Sequence, residues 1–414
     1  MLRAFRSRNY RLFFGGQIVS LTGTWITTTA TSWLVYRLTH SVELLGVVGF
    51  ASQVPSFLLT PFAGIVVDRV NRHRLLVLTQ TASMVVSFVL ALLTLTHTMS
   101  IPWLIGVSIV QGIVNAFDLP GRQSFVIKLV EDPRDLANAI ALNSSMFNAA
   151  RLVGPSVAGA VIALTNEGWC FLIDGISYVF VIGALLAMQV SGAAPVTGPA
   201  PSPLRQFLDG WRYTAQSRAI RSLIALVGIT CLLGVPYTVM MPVYAASILH
   251  GGPHTLGILM TSAGGGALLG ALWLAGRRGG IEGLSRLIPV AGAVFGLGLI
   301  AFAYSTVVWL SCLCLVLAGA GFMVQFASSN TLLQTIVEDA KRGRVMAFFL
   351  MAYFGTTPFG SLVAGWASGR IGTPLTLGIG GGACVAGCAW FALQLSAIRT
   401  EVAPVLARAQ AGRA

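Results

Sequence analysis

Twelve apolar runs, each long enough to cross a hydrocarbon layer of about 30 Å, divide this chain. They lie at roughly 12–36, 42–67, 75–97, 101–120, 139–165, 168–190, 219–249, 254–276, 287–305, 307–331, 345–370 and 373–396. Few folds accept such a pattern. In lipid every backbone polar group needs a partner inside the protein, so an apolar run of this length is a helix. With 55% of residues hydrophobic and 9% charged, too little polar surface exists to cover a soluble core of this size. The expected fold class is all-α and integral to the membrane, with twelve transmembrane helices in two six-helix halves.

The 26 Lys and Arg outnumber the 13 Asp and Glu. Such an excess suits a nucleic acid only when it gathers on one soluble face, and here it does not. The bases fall in short segments between runs: Arg3, Arg6, Arg8 and Arg11; Arg69, Arg72 and Arg74; Arg122, Lys128 and Arg134; Arg205, Arg212, Arg218 and Arg221; Arg277, Arg278 and Arg286; Lys341, Arg342 and Arg344; and Arg399, Arg408 and Arg413. Counting spans puts all of these on one side, and the other side keeps Arg37 and Arg370. By the positive-inside rule both termini are cytoplasmic. The N-terminal bases precede an apolar run too long for a signal peptide, and that run leads directly into others. Cys170, Cys231, Cys312, Cys314, Cys384 and Cys388 lie mostly inside runs without a Cys-x-x-Cys pair. They read as packing residues, with no disulfide framework and no metal site. His250 and His254 read as an outer loop.

Residues 192–203 are rich in Pro, Gly, Ser and Ala, and the following Leu204–Tyr213 reads as an amphipathic surface helix. The chain then divides into a first half at 1–190, a cytoplasmic linker at 191–218, a second half at 219–396 and a cytoplasmic tail at 397–414. The halves echo each other. Val130-Glu131-Asp132 recurs as Val337-Glu338-Asp339 at an offset of half the chain, and the same offset sets Asp118 against Gln325. Each half also has a span with a mid-membrane proline, Pro155 after Gly154 and Pro358 after Thr357.

Polar residues inside the runs mark where chemistry can sit, because lipid cannot satisfy them. The first run carries Gln17, Ser20, Thr24, Thr27 and Thr31 at helical spacing. The fourth repeats the device with Ser108, Gln111, Asn115, Asp118 and Arg122. On the fifth, Ser144, Asn148, Arg151, Pro155 and Gly159 share a face. Arg151 is the one base that no loop can hold. An isolated charge at mid-helix costs about 2.5–3.5 kcal/mol on insertion scales, so it calls for an acid, water or cargo. Asp174 is the clearly embedded acid, with Tyr178 one turn on, and an Arg151–Asp174 interaction, direct or through water, is one way to satisfy both. Tyr237, Met240, Met241 and Tyr353 are either the lining of an apolar pocket or ordinary packing.

Between the second and third runs stands Gly64-Ile-Val-Val-Asp68-Arg69-Val-Asn71-Arg72-His-Arg74. It resembles the Gly-x-x-x-Asp-Arg-x-Gly-Arg-Arg/Lys loop of the major facilitator superfamily. Asn71 stands for the usual Gly and tolerates a left-handed turn, and Arg74 supplies the last base one residue late. Gly154-Pro155-Ser-Val-Ala158-Gly159 resembles the Gly-Pro-x-x-Gly motif of the exporters, with Ala158 in place of the first closing glycine. Arg8-Asn-Tyr-Arg-Leu-Phe-Phe-Gly-Gly-Gln17 through Thr24-Trp25 and the run from Arg342 to Gly365 resemble the bacterial branch with enterobactin-type siderophore exporters and macrolide efflux proteins. Several members of that branch carry an acid where Thr24 stands, and the resemblance implies a bacterial inner membrane as the location.

The resemblance covers nearly the whole chain outside the linker and tail. It implies a secondary active exporter of a small, largely apolar compound (drug, antibiotic or siderophore-like), driven by proton antiport and alternating access. It implies gating by Gly64, Asp68, Arg69, Arg72, Asp118, Gly154, Pro155 and Pro358, with Asp118 latching to Arg69 or Arg72. The substrate or proton pathway would draw on Gln17, Thr24, Gln111, Asn115, Asn148, Arg151, Asp174, Tyr178, Tyr237, Gln325 and Tyr353. No enzyme activity, cofactor, metal or nucleic acid is expected, and the partners are substrate, protons and lipid around a monomer. No nucleotide-binding loop is present, which argues against ATP hydrolysis. An uptake transporter or lipid flippase of the same fold, and a non-transporting membrane receptor or scaffold, remain alternatives.

Overall fold

A computed structural model describes residues 3–130, 135–188, 203–277, 283–396 and 398. Among them every regular element is helical. The first six spans are α1 (Arg8–Thr39), α2 (Val42–Arg69), α3 (Arg72–Leu95), α4 (Ile101–Leu129), α5 (Leu136–Leu164) and α6 (Glu167–Leu186). After the surface helix α7 (Pro203–Gln216), the seventh span is built in pieces. It runs through α8 (Arg218–Ile229), a π-helical turn at Thr230–Gly234, α9 (Tyr237–Val243) and a second π-helical turn at Tyr244–Ile248. Then come α10 (Pro253–Gly276), α11 (Leu284–Ala303) and α12 (Val308–Ile336). The eleventh span joins α13 (Asp339–Leu350) to α14 (Thr356–Ile371) through a π-helical turn at Met351–Gly355, and α15 (Thr373–Leu393) is the last.

Eleven of these stretches are long and apolar enough to cross a membrane. The twelfth is α1, whose 32 residues extend roughly 48 Å at about 1.5 Å each. Its hydropathy is lowered by its polar stripe, not by any shortfall in length. The chain is therefore a multi-pass membrane protein whose helices coincide with the expected runs.

Helix starts follow local chemistry. Ser41 accepts from Leu44 N–H at 3.2 Å, Asn166 from Gly168 N–H at 2.9 Å and Ser217 from Ile220 N–H at 3.2 Å. Each satisfies an amide that the helix itself cannot. Asn71 does the same for α3, accepting from His73 N–H at 3.0 Å and Arg74 N–H at 3.3 Å. Its φ of −67° is extended-side backbone, so the left-handed turn expected there does not form. The cap explains Asn at this position instead. The side chains of Gly64, Asp68 and Arg205 lie outside the described residues, as do the Glu131–Asp132 pair, the proline-rich stretch before residue 203 and the tail from residue 399.

Contacts gather the chain into two compact units, Met1–Gly198 with Met241–Thr261, and Pro199–Met240 with Ser262–Ala414. In the first, α1 packs on α5 and α6, α2 on α4, and α3 on α4 and α6. In the second, the seventh span packs on α15, α11 on α12 and α15, and α10 meets α12 where Gly266 lies against Val316 and Gly270 against Ala320. First span with sixth, second with fourth, and third with fourth and sixth: the pairing repeats, as the sequence echo anticipates.

Candidate functional site

The polar stripes of the first unit converge on one another. Asp118 is 2% exposed. Its Oδ1 accepts from Thr79 Oγ1 at 2.9 Å and from Gln80 Nε2 at 2.7 Å, both on α3. Its Oδ2 accepts from Arg122 Nη2, one turn later on α4. Arg122 Nη1 donates to Gln17 Oε1 on α1 at 3.2 Å, and Ser20 Oγ donates to Gln80 Oε1 at 3.5 Å. Gln111 Nε2 bridges Ser83 Oγ at 3.1 Å and Asn115 Oδ1 at 3.0 Å. The buried Asp118 carboxylate and the half-buried Arg122 guanidinium thereby form a neutral, hydrogen-bonded pair, which is the form in which burial is tolerable. These bonds tie α4 to α3 and α1, whereas the sequence reading paired Asp118 with Arg69 or Arg72.

Asp174 is held differently. It is 1% exposed, and its Oδ2 accepts from Thr27 Oγ1 at 2.8 Å and from Ser87 Oγ at 2.7 Å. Oδ1 has no hydrogen-bond partner among the described residues. Ser177 Oγ donates to the Asp174 carbonyl at 2.7 Å, and the Tyr178 hydroxyl lies 3.5 Å from Thr24 Oγ1. Gly23 makes this closeness possible, because a Cβ there would stand 2.5 Å from both Asp174 Oδ1 and Ser177 Oγ. Gln17, Ser20, Thr24 and Thr27 thus form one seam on α1 facing α3, α4 and α6. Gln17 Nε2 and Arg122 Nε are also without partners among the described residues.

Arg151 does not meet Asp174: no ion pair joins them among the described residues. Its guanidinium lies over the Trp25 ring, 5.7 Å from the centroid, and Phe147 meets the same ring edge-on at 5.8 Å. The face of an indole attracts a cation, so an aromatic ring is the partner that the described residues offer Arg151. The neighbouring Gly154 presses on α1, where a Cβ would stand 3.2 Å from Thr22 O and 3.3 Å from Ile26 N. Asn148 Nδ2 donates to Ser144 O at 2.8 Å, within its own helix.

The glycine–proline motif packs on α10. A Cβ at Gly257 would stand 2.6 Å from Pro155 O, and one at Gly159 would stand 2.8 Å from Pro253 O. Ser156 and Thr261 hydroxyls lie 2.6 Å apart, and Thr261 Oγ1 donates to Leu152 O at 3.2 Å. Tyr36 and Ser247 hydroxyls meet at 2.5 Å.

In the second unit Gln325 Nε2 donates to Thr230 Oγ1 at 3.0 Å, at the π-helical turn of the seventh span. Gln325 is therefore buried and side-facing like its counterpart Asp118, but uncharged. Tyr237 is buried, edge-on to Phe295 at 6.2 Å. Pro358 follows the π-helical turn of the eleventh span. Carbonyls in the widened turn are met by hydroxyls, Thr356 Oγ1 on Ala352 O at 2.6 Å and Thr357 Oγ1 on Tyr353 O at 2.7 Å.

Two features escaped the sequence reading. Thr79, Gln80, Ser83 and Ser87 form a polar stripe on α3 at the same spacing used to find those on α1 and α4, and that signal was present. The other is the fork of Arg37 on Glu167, with Nε to Oε1 at 2.7 Å and Nη2 to Oε2 at 3.0 Å. It joins the end of α1 to the start of α6.

Residues 1–409 match the family described as transmembrane secretion effector. The staphyloferrin A transporter of Staphylococcus aureus is 26% identical, over 90% of this chain and 92% of that one. The multidrug efflux pump Tap of Mycolicibacterium fortuitum is 25% identical, over 83% and 85%. Macrolide efflux protein A of Streptococcus pyogenes is 22% identical, over 70% and 72%. The crystal structure of the nucleoside transporter NupG shares the fold, with a TM-score of 0.68 at 16% identity over 93% of this chain and 98% of that one. The chain belongs to the transmembrane secretion effector family of the major facilitator superfamily.

Proposed function

We propose that this protein exports a small, largely apolar compound from the bacterial cytoplasm by proton antiport. One observation carries the proton-coupled reading: Asp174 is buried with hydroxyl partners and no base among the described residues. An unpaired charge at membrane depth is costly, and a proton neutralises it without a second side chain. Asp118 already has its counter-charge in Arg122, so its role is to hold α1, α3 and α4 in register. Export is supported by the names of the relatives, a siderophore transporter and two efflux pumps.

In this reading two six-helix halves, 1–190 and 219–396, alternate access around the cargo, with both termini cytoplasmic in a monomer. Gly64, Asp68, Arg69 and Arg72 gate the cytoplasmic side, and Gly154, Pro155 and Pro358 let their helices move. Thr24, Tyr178, Gln111 and Asn115 line the proton's route to Asp174, while Asn148, Arg151, Tyr237 and Tyr353 serve the cargo. Gln17 and Gln325 anchor the seams of the two halves.

The direction of flux tests the export reading. Everted membrane vesicles should accumulate doxorubicin, ethidium or radiolabelled erythromycin when the lumen is acidified, and right-side-out vesicles should not. Accumulation confined to right-side-out vesicles would make the protein an importer.

A further inference from the structure

The spans of the second unit hold no charge. Residues 222–240, 262–276, 287–336, 345–369 and 373–393 contain no Asp, Glu, Lys or Arg. They hold instead a ladder of aromatic rings. Phe322 and Phe326, one turn apart on α12, stack with centroids 6.1 Å apart and planes at 19°. Tyr353, in the π-helical turn of the eleventh span, lies 4.8 Å from Phe326 and 6.4 Å from Phe322. Phe349, 1% exposed, backs Phe326 at 5.2 Å.

One side of the ladder packs on the buried core of the second unit, where Phe322 meets Phe295 at 5.5 Å and Phe326 meets Phe349, and the rest of it does not turn to lipid. At about 100° per residue, Phe322 and Phe326 point to the side of α12 opposite the exposed Leu310, Leu313 and Leu317. Phe322, Phe326 and Tyr353 nevertheless keep intermediate exposure, unlike Phe349 behind them. Phe322 and Phe326, turned from lipid yet left partly open, form with Tyr353 a surface on which another flat group can lie.

The backbone is specialised at the same place. The π-helical turns Thr230–Gly234 and Met351–Gly355 pack on each other, and the second carries Tyr353. A π-helical turn spends an extra residue to re-aim side chains and is common at functional sites.

We propose that this ladder is the cargo platform and that the cargo presents a flat, uncharged aromatic ring system to it. The inference rests on the export reading and names the cargo's chemical class. Ring separations of 4.8–6.4 Å are those at which aromatic groups stack favourably. A wall without charge offers nothing to compensate the desolvation of an ionic group, but costs a neutral ring little.

The test is equilibrium binding of doxorubicin, whose anthraquinone is flat and uncharged, to the purified full-length protein in lipid nanodiscs, read by fluorescence anisotropy. The double variant Phe326→Leu/Tyr353→Leu keeps the apolar surface and removes the rings. It should weaken binding roughly tenfold, while Phe326→Tyr and Tyr353→Phe retain it. Trp309→Leu, which removes a ring exposed on another face, should leave binding unchanged, and unfolding midpoints confirm that each variant is folded. Wild-type binding no better than empty nanodiscs, or a folded Leu double variant that binds like wild type, would overturn the proposal. Binding needs no direction of flux, so either result would leave the export reading standing. An intact ladder in a protein that fails to export would remove the export reading alone.

Discussion

Arg122 bonds the carboxylate of Asp118 one turn before it on α4, and its other amino group reaches Gln17 on α1. The first unit therefore contains two kinds of buried acid. Asp118 has a counter-ion and helps fasten three helices; among the described residues Asp174 has hydroxyls only.

Removing the base should expose that difference. Arg122→Gln leaves the Asp118 charge buried without its partner and should destabilise the protein by about 3–5 kcal/mol. Adding Asp118→Asn should recover most of the loss. Thermal unfolding in detergent reads both, and equal losses would show that the two residues are not coupled.

The Arg37–Glu167 fork should contribute less, because Arg37 is 51% exposed although Glu167 is 1% exposed. Glu167→Gln should cost roughly 1–2 kcal/mol, mostly from the buried end. A double-mutant cycle with Arg37→Ala measures the coupling, and additive losses would mean the fork is incidental.

The contact of α5 with α10 leaves no room for a methyl group. At Gly257 the obstacle is the Pro155 carbonyl oxygen, which a Cβ would meet at 2.6 Å, and backbone cannot swing aside as a side chain can. Gly257→Ala should therefore cost about 1–3 kcal/mol, with Gly257→Leu worse. Unfolding midpoints of membrane-extracted protein give the order, and a stable Leu variant would contradict the packing.

At Arg151 the cation over Trp25 separates charge from shape. Arg151→Lys keeps the charge and loses the planar face, and Arg151→Ala loses both. Both should insert, with the Ala variant transporting poorly in vesicles. Near-normal efflux by the Ala variant at equal membrane abundance would remove Arg151 from the cargo pathway.

The helices were legible because lipid allows no other structure for such apolar runs. The stripes on α1 and α4 were legible from spacing alone, though not what they face. Gln17 turns toward α4, Ser20 toward α3 and Thr27 toward α6, and spacing within one helix says nothing about its neighbours. Arg151 was identified as needing a partner, yet the partner is a ring, which composition does not distinguish from packing. Arg37 and Glu167 lie 130 residues apart at helix ends, and nothing local in the sequence links them. The π-helical turns leave no periodic signature, because the extra residue is absorbed where packing and prolines such as Pro236 and Pro358 disrupt the ladder.

The most direct test of proton-coupled export is Asp174→Asn in everted vesicles with an acid lumen, assayed with doxorubicin, ethidium and radiolabelled erythromycin. Wild type should accumulate at least one probe and release it when the pH gradient is collapsed, while the Asn variant, present at equal abundance, should accumulate none. Gradient-dependent accumulation by the Asn variant at the wild-type rate would contradict the account.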